Sequence, residues 1–291
     1  MTLQNYFAPK SVKEALSLLS EYGQKARVIS GGTDLLMQMK HREVLPEYVI
    51  SIGGIAELSF ITYDETKGLN IGVLTNVADI ANSPLVKRKF SILAQAAGML
   101  GTPTIRNQAT LGGNLCNAAP SADTAPSLMV LGAMAKIVGA ASEKIIPLEN
   151  FFTGPGQTIL EHGHLLTEIQ IPNLSPHSGG AYLKQTRRQG ADLAVVGVAA
   201  LVVMDGEIVR DVKIALGAVA PTPIRAKRAE AILRGHRIDD KRLEESSQAA
   251  MHEAKPIDDV RGSADYRRTL VAVLVKRAVA RAIQQTQSEV S

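Results

Sequence analysis

A single cysteine, Cys116, and the absence of tryptophan set the first limits on this 291-residue sequence. One thiol closes no disulfide within the chain, and it supports neither a Cys-rich zinc site nor an iron–sulfur cluster. Such usage fits a reducing compartment. Aromatic side chains are scarce as well, with five Phe and six Tyr, so Ala, Val, Leu and Ile must fill the cores. That scarcity argues against nucleic-acid binding by rings stacked in a basic groove. The longest nonpolar stretch, Leu193 to Met204, is closed off by Asp192 and Asp205 and is too short to cross a bilayer as a helix. Met1 to Tyr6 lacks the basic and then apolar pattern of a signal peptide. A cytoplasmic protein is expected, with no membrane insertion and no nucleic-acid partner.

What is present is ordinary globular material: 45% apolar and 21% charged residues, enough to build cores rather than a disordered chain. The net charge of +4 is unevenly spread. Lys184, Arg187 and Arg188 form one basic cluster, and Arg225, Lys227, Arg228, Arg234, Arg237, Lys241 and Arg242 form another. Clusters of this kind attract phosphates or acidic surfaces, but the second reads best as solvated helix faces.

The chain divides into three stretches, 1–54, 55–176 and 177–291. In the first, Ser11 and Glu14 make a capping box, Val12, Ala15, Leu16 and Leu19 share a helical face, and Gly23 supplies the stop. A strand over Ala26–Ser30, a brief helix over Leu35–Lys40 and a strand over Tyr48–Ile52 follow. In the second, Ser59–Tyr63 and Leu69–Val73 flank a turn, and further strands are expected at 135–138, 144–146 and 168–171. Helices are expected at 77–81, 85–99 and 124–131, with an irregular Gly-rich stretch from Thr110 to Ala119. The Pro-, Gly- and Ser-rich run from Pro172 to Gly180 marks the next boundary. Beyond it lie strands at 181–186, 194–204, 207–212 and 213–217, with a hairpin turn at Met204–Glu207 and a long helix over Tyr266–Thr286.

No G-x-G-x-x-G, Walker-type or H-E-x-x-H motif is present. His162 and His164 flank Gly163 on an expected exposed turn, with no accompanying ligand pattern for a metal. The distinctive feature is a pair of diglycine segments with polar neighbours, Ser30-Gly31-Gly32-Thr33-Asp34 and Thr110-Leu111-Gly112-Gly113-Asn114. Glycine lets a ligand approach the main chain closely, and backbone N–H groups at such turns make anion-binding concavities. One diglycine alone is more often a tight turn, the reading for Gly53-Gly54 and Gly179-Gly180. Two beside strands, with Ser, Thr and Asn around them, point toward a ligand.

These segments, with Gly101-Thr102-Pro103 leading into the second, Thr153-Gly154-Pro155-Gly156, Leu165 to Pro172, Lys184 to Arg188 and the helix from Tyr266, resemble the FAD-binding medium subunits of molybdenum hydroxylases. This is the xanthine dehydrogenase and carbon monoxide dehydrogenase family. The resemblance runs in order along nearly the whole chain. It implies an α+β architecture: a two-subdomain FAD-binding fold (PCMH type), then a C-terminal domain with a three-stranded antiparallel sheet and helices.

The same resemblance implies an oxidoreductase complex. A large partner would hold a molybdenum–pterin centre, and a small partner two [2Fe-2S] clusters, in a dimer of heterotrimers. This chain would carry electrons from the clusters through FAD to an external acceptor. By position, Ile29, Ser30, Gly31, Gly32, Thr33, Asp34 and Leu35, with Thr110, Leu111, Gly112, Gly113 and Asn114, are expected at the diphosphate and ribityl chain. Asp123 is expected at sugar hydroxyls, and Leu100, Gly101 and Leu166 against the apolar rings. Lys184 is expected near the flavin, with a solvated strand lysine as the plainer alternative. Leu193 falls where relatives place a residue against the isoalloxazine. Cys116 reads as a small buried residue, and no catalytic or metal-ligating residue is assigned. Two other readings stay open on the residues alone: a free-standing flavin oxidase or reductase, which lacks an evident acid or base here, and a basic nucleic-acid-binding protein.

Overall fold

A short strand, β1 (Asn5–Phe7), leads into helix α1 (Val12–Tyr22). Ser11 Oγ accepts the Glu14 N–H at 3.2 Å. The Glu14 carboxylate reaches back to the Lys10 N–H at 2.8 Å, one residue earlier than a capping box requires. Gly23, at φ +48°, ends the helix, and Ala15, Leu16 and Leu19 form its buried side. Strand β2 (Ala26–Ile29), helix α2 (Leu35–Lys40) and strand β3 (Tyr48–Ser51) complete a parallel sheet of order β1-β3-β2. The turn from Ser30 to Asp34 therefore leaves the carboxyl end of a parallel strand, where ligands gather in open α/β sheets. This is a computed structural model, and it describes residues 3–188 and 190–288.

Strands β4 (Ile61–Asp64) and β5 (Gly68–Gly72) form the expected hairpin. Six helices follow: α3 (Val77–Asn82), α4 (Pro84–Lys89), α5 (Ser91–Met99), α6 (Pro103–Gln108), α7 (Leu111–Cys116) and α8 (Thr124–Val130). After them come β6 (Met134–Gly139), β7 (Glu143–Pro147), the small pair β8 (Phe152–Gly154) and β9 (Gln157–Thr158), and β10 (His164–Ile171). The sheet is antiparallel, in the order β4-β5-β10-β6-β7.

Two expectations change here. The helix expected over 85–99 breaks at Phe90, whose backbone leaves helical values as its buried ring packs edge-on to Tyr63 at 6.3 Å. The Gly-rich stretch from Thr110 is not irregular, because Leu111–Cys116 is helical. Thr110 caps that helix, and Thr102 with Pro103 starts the one before it.

The last part holds β11 (Ser178–Gln185), β12 (Val196–Asp205), β13 (Ile208–Gly217) and β14 (Ile224–Arg225) as one antiparallel sheet in that order. The two strands expected over 207–217 are one, and the two-residue β14 adds a fourth to the three long strands. Helices α9 (Lys227–Leu233), α10 (Asp240–Glu253) and α11 (Ala264–Ser288) follow. Gly179-Gly180, expected as a turn, lies within β11. A side chain at Gly179 would collide with the Ala282 carbonyl of α11, so the glycine is what lets the helix lie on the strand. The sheet buries both faces. Ala181, Val198, Ala200 and Ile214 pack with Val271, Val275 and Ala278 of α11. Tyr182, Ala199, Leu201 and Ala215 belong instead to the core built by residues 15–171.

Much of the second basic cluster is engaged in ion pairs. Arg234 meets Asp211 at 2.9 Å and Arg237 meets Glu207 at 3.0 Å. Glu230, 3% exposed, accepts the Ile214 N–H at 2.8 Å and two Arg225 hydrogen bonds at 2.6 and 2.8 Å. Removing one partner of such a pair strands the other charge. Glu230→Ala is therefore expected to cost about 3–5 kcal/mol of stability, measured as a lowered midpoint in urea denaturation.

Candidate functional site

The two diglycine segments, distant in sequence, meet in space. A side chain at Gly31 would collide with the Gln108 carbonyl, and Ser30 Oγ lies 3.0 Å from Thr110 Oγ1. Gly32 takes φ +73°, a left-handed value that favours glycine. Gly112 sits under Val73, donating its N–H to the Val73 carbonyl at 2.8 Å. Thr110 Oγ1 accepts the Gly113 N–H at 3.0 Å, and Thr124 fixes the Asn114 side chain through a 2.6 Å bond to its Oδ1. The expected second loop is thus the capped first turn of α7.

Around this junction lies a cavity of about 880 Å³, within the ~300–1,000 Å³ range of small-molecule and cofactor sites. Ile29, Ser30, Gly31, Gly32, Thr33, Asp34 and Leu35 line it, as do Leu100, Gly101, Thr110, Gly112, Gly113, Asn114, Asp123 and Leu166. The register shift between Leu166 and Glu168 in β10 is the kind of irregularity that re-aims a side chain at a site. Leu111 differs: it is fully buried in the core and is not part of the lining. Burial pushes the Asp34 carboxyl upward, opposed by a hydrogen bond from Thr33.

Lys184 is not a solvated strand lysine. Its side chain is 5% exposed and its Nζ lies 2.8 Å from Asp123 Oδ2; the same ammonium donates to the Met99 carbonyl at 3.0 Å. The other Asp123 oxygen, Oδ1, accepts the Tyr182 hydroxyl at 2.8 Å. Burial drives the Asp123 carboxyl upward, while Lys184 and Tyr182 draw it back down. The Tyr182 phenol is held well above its ordinary value, by burial first and then by Asp123.

Cys116 also borders the cavity, and burial pushes its thiol up to about 12, which leaves it protonated and a poor nucleophile. Leu193, 49% exposed, joins the lining with Arg188 and Arg261, and Gly156 of the Thr153–Gly156 segment does too. His164 opens β10 instead of lying on a turn, and its ring meets Ser142 Oγ at 3.2 Å. Among the described residues no cluster of three metal-ligating side chains occurs, and no helix is long and apolar enough to cross a membrane.

The chemistry of this lining suits a dinucleotide cofactor. Glycine at 113 leaves open a cradle that a Cβ would enter, 3.0 Å from both the Ser30 and Thr110 hydroxyls. Thr33 and Asn114 add a further hydroxyl and an amide to the lining of the same cavity, and Leu100 and Leu166 add apolar surface.

Residues 2–174 match the family model described as the FAD binding domain in molybdopterin dehydrogenase. The chain belongs to that family. Residues 181–282 match the CO dehydrogenase flavoprotein C-terminal domain, so both parts of the molybdopterin dehydrogenase flavoprotein arrangement are present, in order. The carbon monoxide dehydrogenase medium chain of Hydrogenophaga pseudoflava is 34% identical, over 94% of this chain and 95% of that one. A putative xanthine dehydrogenase FAD-binding subunit of Escherichia coli is 31% identical, over 96% of each. The solved carbon monoxide dehydrogenase of H. pseudoflava that lacks the Mo-pyranopterin moiety superposes with a TM-score of 0.93. It is 35% identical and covers 96% of both chains. The resemblance read from the diglycine segments, and the fold class it implied, therefore hold.

Sequence reasoning missed several members of the site. Gln38, Asn117 and Arg261 line the cavity from separate segments that share no motif, and Arg188, noted in the sequence only as part of a basic cluster and of the resembling segment, lines it too. Tyr182 was missed despite a usable signal, since it stands two residues before Lys184 on one strand and so shares its face.

Proposed function

We propose that this chain is the FAD-carrying subunit of a heteromeric molybdenum hydroxylase. In this reading FAD receives electrons from [2Fe-2S] clusters of a small partner subunit, after substrate oxidation at a molybdenum–pterin centre of a large one, and an external acceptor takes them up. The observation that carries the reading is the convergence of both diglycine segments on one cavity, in a chain whose two parts match the two flavoprotein family models. Residues 29–35 and 110–114 hold the diphosphate and ribityl chain, with Leu111 acting through the core packing that seats α7. Asp123 accepts hydrogen bonds from cofactor hydroxyls, and Leu100, Gly101 and Leu166 line its apolar rings. Lys184 serves through its ion pair with Asp123. The division at 1–54, 55–176 and 177–291, a cytoplasmic location and assembly as a dimer of heterotrimers belong to the same proposal.

Bound FAD would supply a carrier between two-electron and one-electron chemistry. The chain's own residues bind and orient it and tune the charge around it. Attachment is noncovalent, because the only thiol is held protonated by burial and neither diglycine segment contains a His. Denaturing the purified chain in acid should release one FAD per chain into the supernatant, read by absorbance. Flavin that stays with the precipitate, or a chain that binds none, would overturn the reading.

A further inference from the structure

We propose that Tyr182 is a positioning residue of the cofactor site: its hydroxyl, seated in a notch left open by Gly197, fixes the Asp123 carboxylate that the cavity presents to cofactor hydroxyls. This rests on the FAD reading above and adds a role for a residue outside the matched FAD-binding domain, which ends at residue 174.

Three observations carry it. Tyr182 is 1% exposed, among the largest fully buried side chains, and its one polar atom spends its hydrogen bond on Asp123 Oδ1 at 2.8 Å. Next, Gly197 is buried as the second residue of β12, opposite Lys184. Glycine weakens a strand interior unless something approaches closely there. What approaches is the Tyr182 hydroxyl: a Cβ on Gly197 would stand 2.8 Å from it, and the next nearest atoms belong to the same ring, at 3.5 Å. Last, Asp123 is 5% exposed yet lines the cavity. Its two oxygens are each held by a different donor from β11, Tyr182 at Oδ1 and Lys184 at Oδ2. Each carboxylate oxygen has two lone pairs, so the carboxylate keeps acceptor capacity while its orientation is fixed from behind. An ionised group buried without such partners would protonate.

The sign of the pH effect follows. Among the described residues, the titratable groups acting on Asp123 are Lys184 and Tyr182, and both favour its ionised form. Protonation on acidification spends acceptor capacity, so FAD affinity falls as pH drops through the Asp123 pKa. Deleting the Tyr182 hydroxyl removes one stabilising donor and moves that acid limb to higher pH.

The test uses the full chain and FAD itself. Tyr182→Phe is expected to weaken FAD binding about tenfold, the loss of one hydrogen bond to a charged group. The acid limb should move up by about one pH unit. Gly197→Ala, at a position outside the cavity lining, should push the hydroxyl aside and reproduce both changes. In the cofactor-free chain the Asp123 carboxyl, followed by carbon NMR, should titrate at higher pH in Tyr182→Phe than in wild type. A role in packing alone would lower the melting temperature and leave both pH profiles where they were, overturning the proposal. Wild-type affinity with an unmoved acid limb in Tyr182→Phe would also overturn it. A wild-type chain that binds no FAD while the NMR titration shifts would instead locate the failure in the cofactor reading.

Discussion

Valine at Gly113 is expected to abolish FAD binding and to leave the chain folded. Gly113 lies inside α7 with ordinary helical backbone values, so the main chain accepts a side chain, and valine is a better helix former than glycine. The obstruction lies beyond the Cβ, which would stand 3.0 Å from both Ser30 Oγ and Thr110 Oγ1. Its two methyl groups would press on the Ser30–Thr110 contact that joins the diglycine segments and fill the cradle between them. Overpacking of this kind costs roughly 1–3 kcal/mol, and displaced cofactor contacts add to it. A loss of about a hundredfold or more in FAD affinity is expected, read as a colourless protein after gel filtration with a near-native circular dichroism melt. Gly31 would not serve, because its side chain would strike the Gln108 backbone and disturb the fold as well. A yellow Gly113→Val protein would mean that the cofactor lies elsewhere.

The second large effect concerns the whole complex. With FAD as its only redox group, the isolated chain should accept electrons from dithionite and yet take none from the organic substrate of the assembled enzyme. Turnover of a typical enzyme is about 10 s⁻¹, so in the complex the oxidised flavin band should bleach within about a second of anaerobic mixing with substrate. In the isolated yellow chain the band should persist for minutes, and adding the iron–sulfur and molybdenum subunits should restore bleaching. Bleaching of the isolated chain at the rate of the complex would make it a self-contained oxidoreductase.

Local signals carried most of the fold. The Ser11 cap, the Gly23 stop and the hairpin turn over Asp64–Lys67 all rest on neighbours within one element, and each is found where the residues place it. Errors arose where tertiary packing outweighs local preference. Glycines at 112 and 113 disguise α7 as a loop because their value lies in contact with Val73 and Ser30, which no local pattern records. Gly179-Gly180 reads as a turn for the same reason, its true neighbour being a carbonyl of α11 about a hundred residues later. At the site, the diglycine motifs were legible because their polar neighbours are adjacent in sequence. Gln38 and Arg261 were not, since folding alone brings them to the cavity.

The C-terminal sheet gives one of its faces, through Tyr182, Ala199, Leu201 and Ala215, to the core of the preceding part. The border between the two matched segments, at residues 174 and 181, is thus a seam in sequence with no matching seam in the packing. A recombination event that exchanged everything after residue 180 for the same part of a distant relative would have to bring side chains that fit these four positions, or leave voids against helices α5 and α8. The two halves are bound to change together: a substitution on this strand face calls for a matching one in the core it enters.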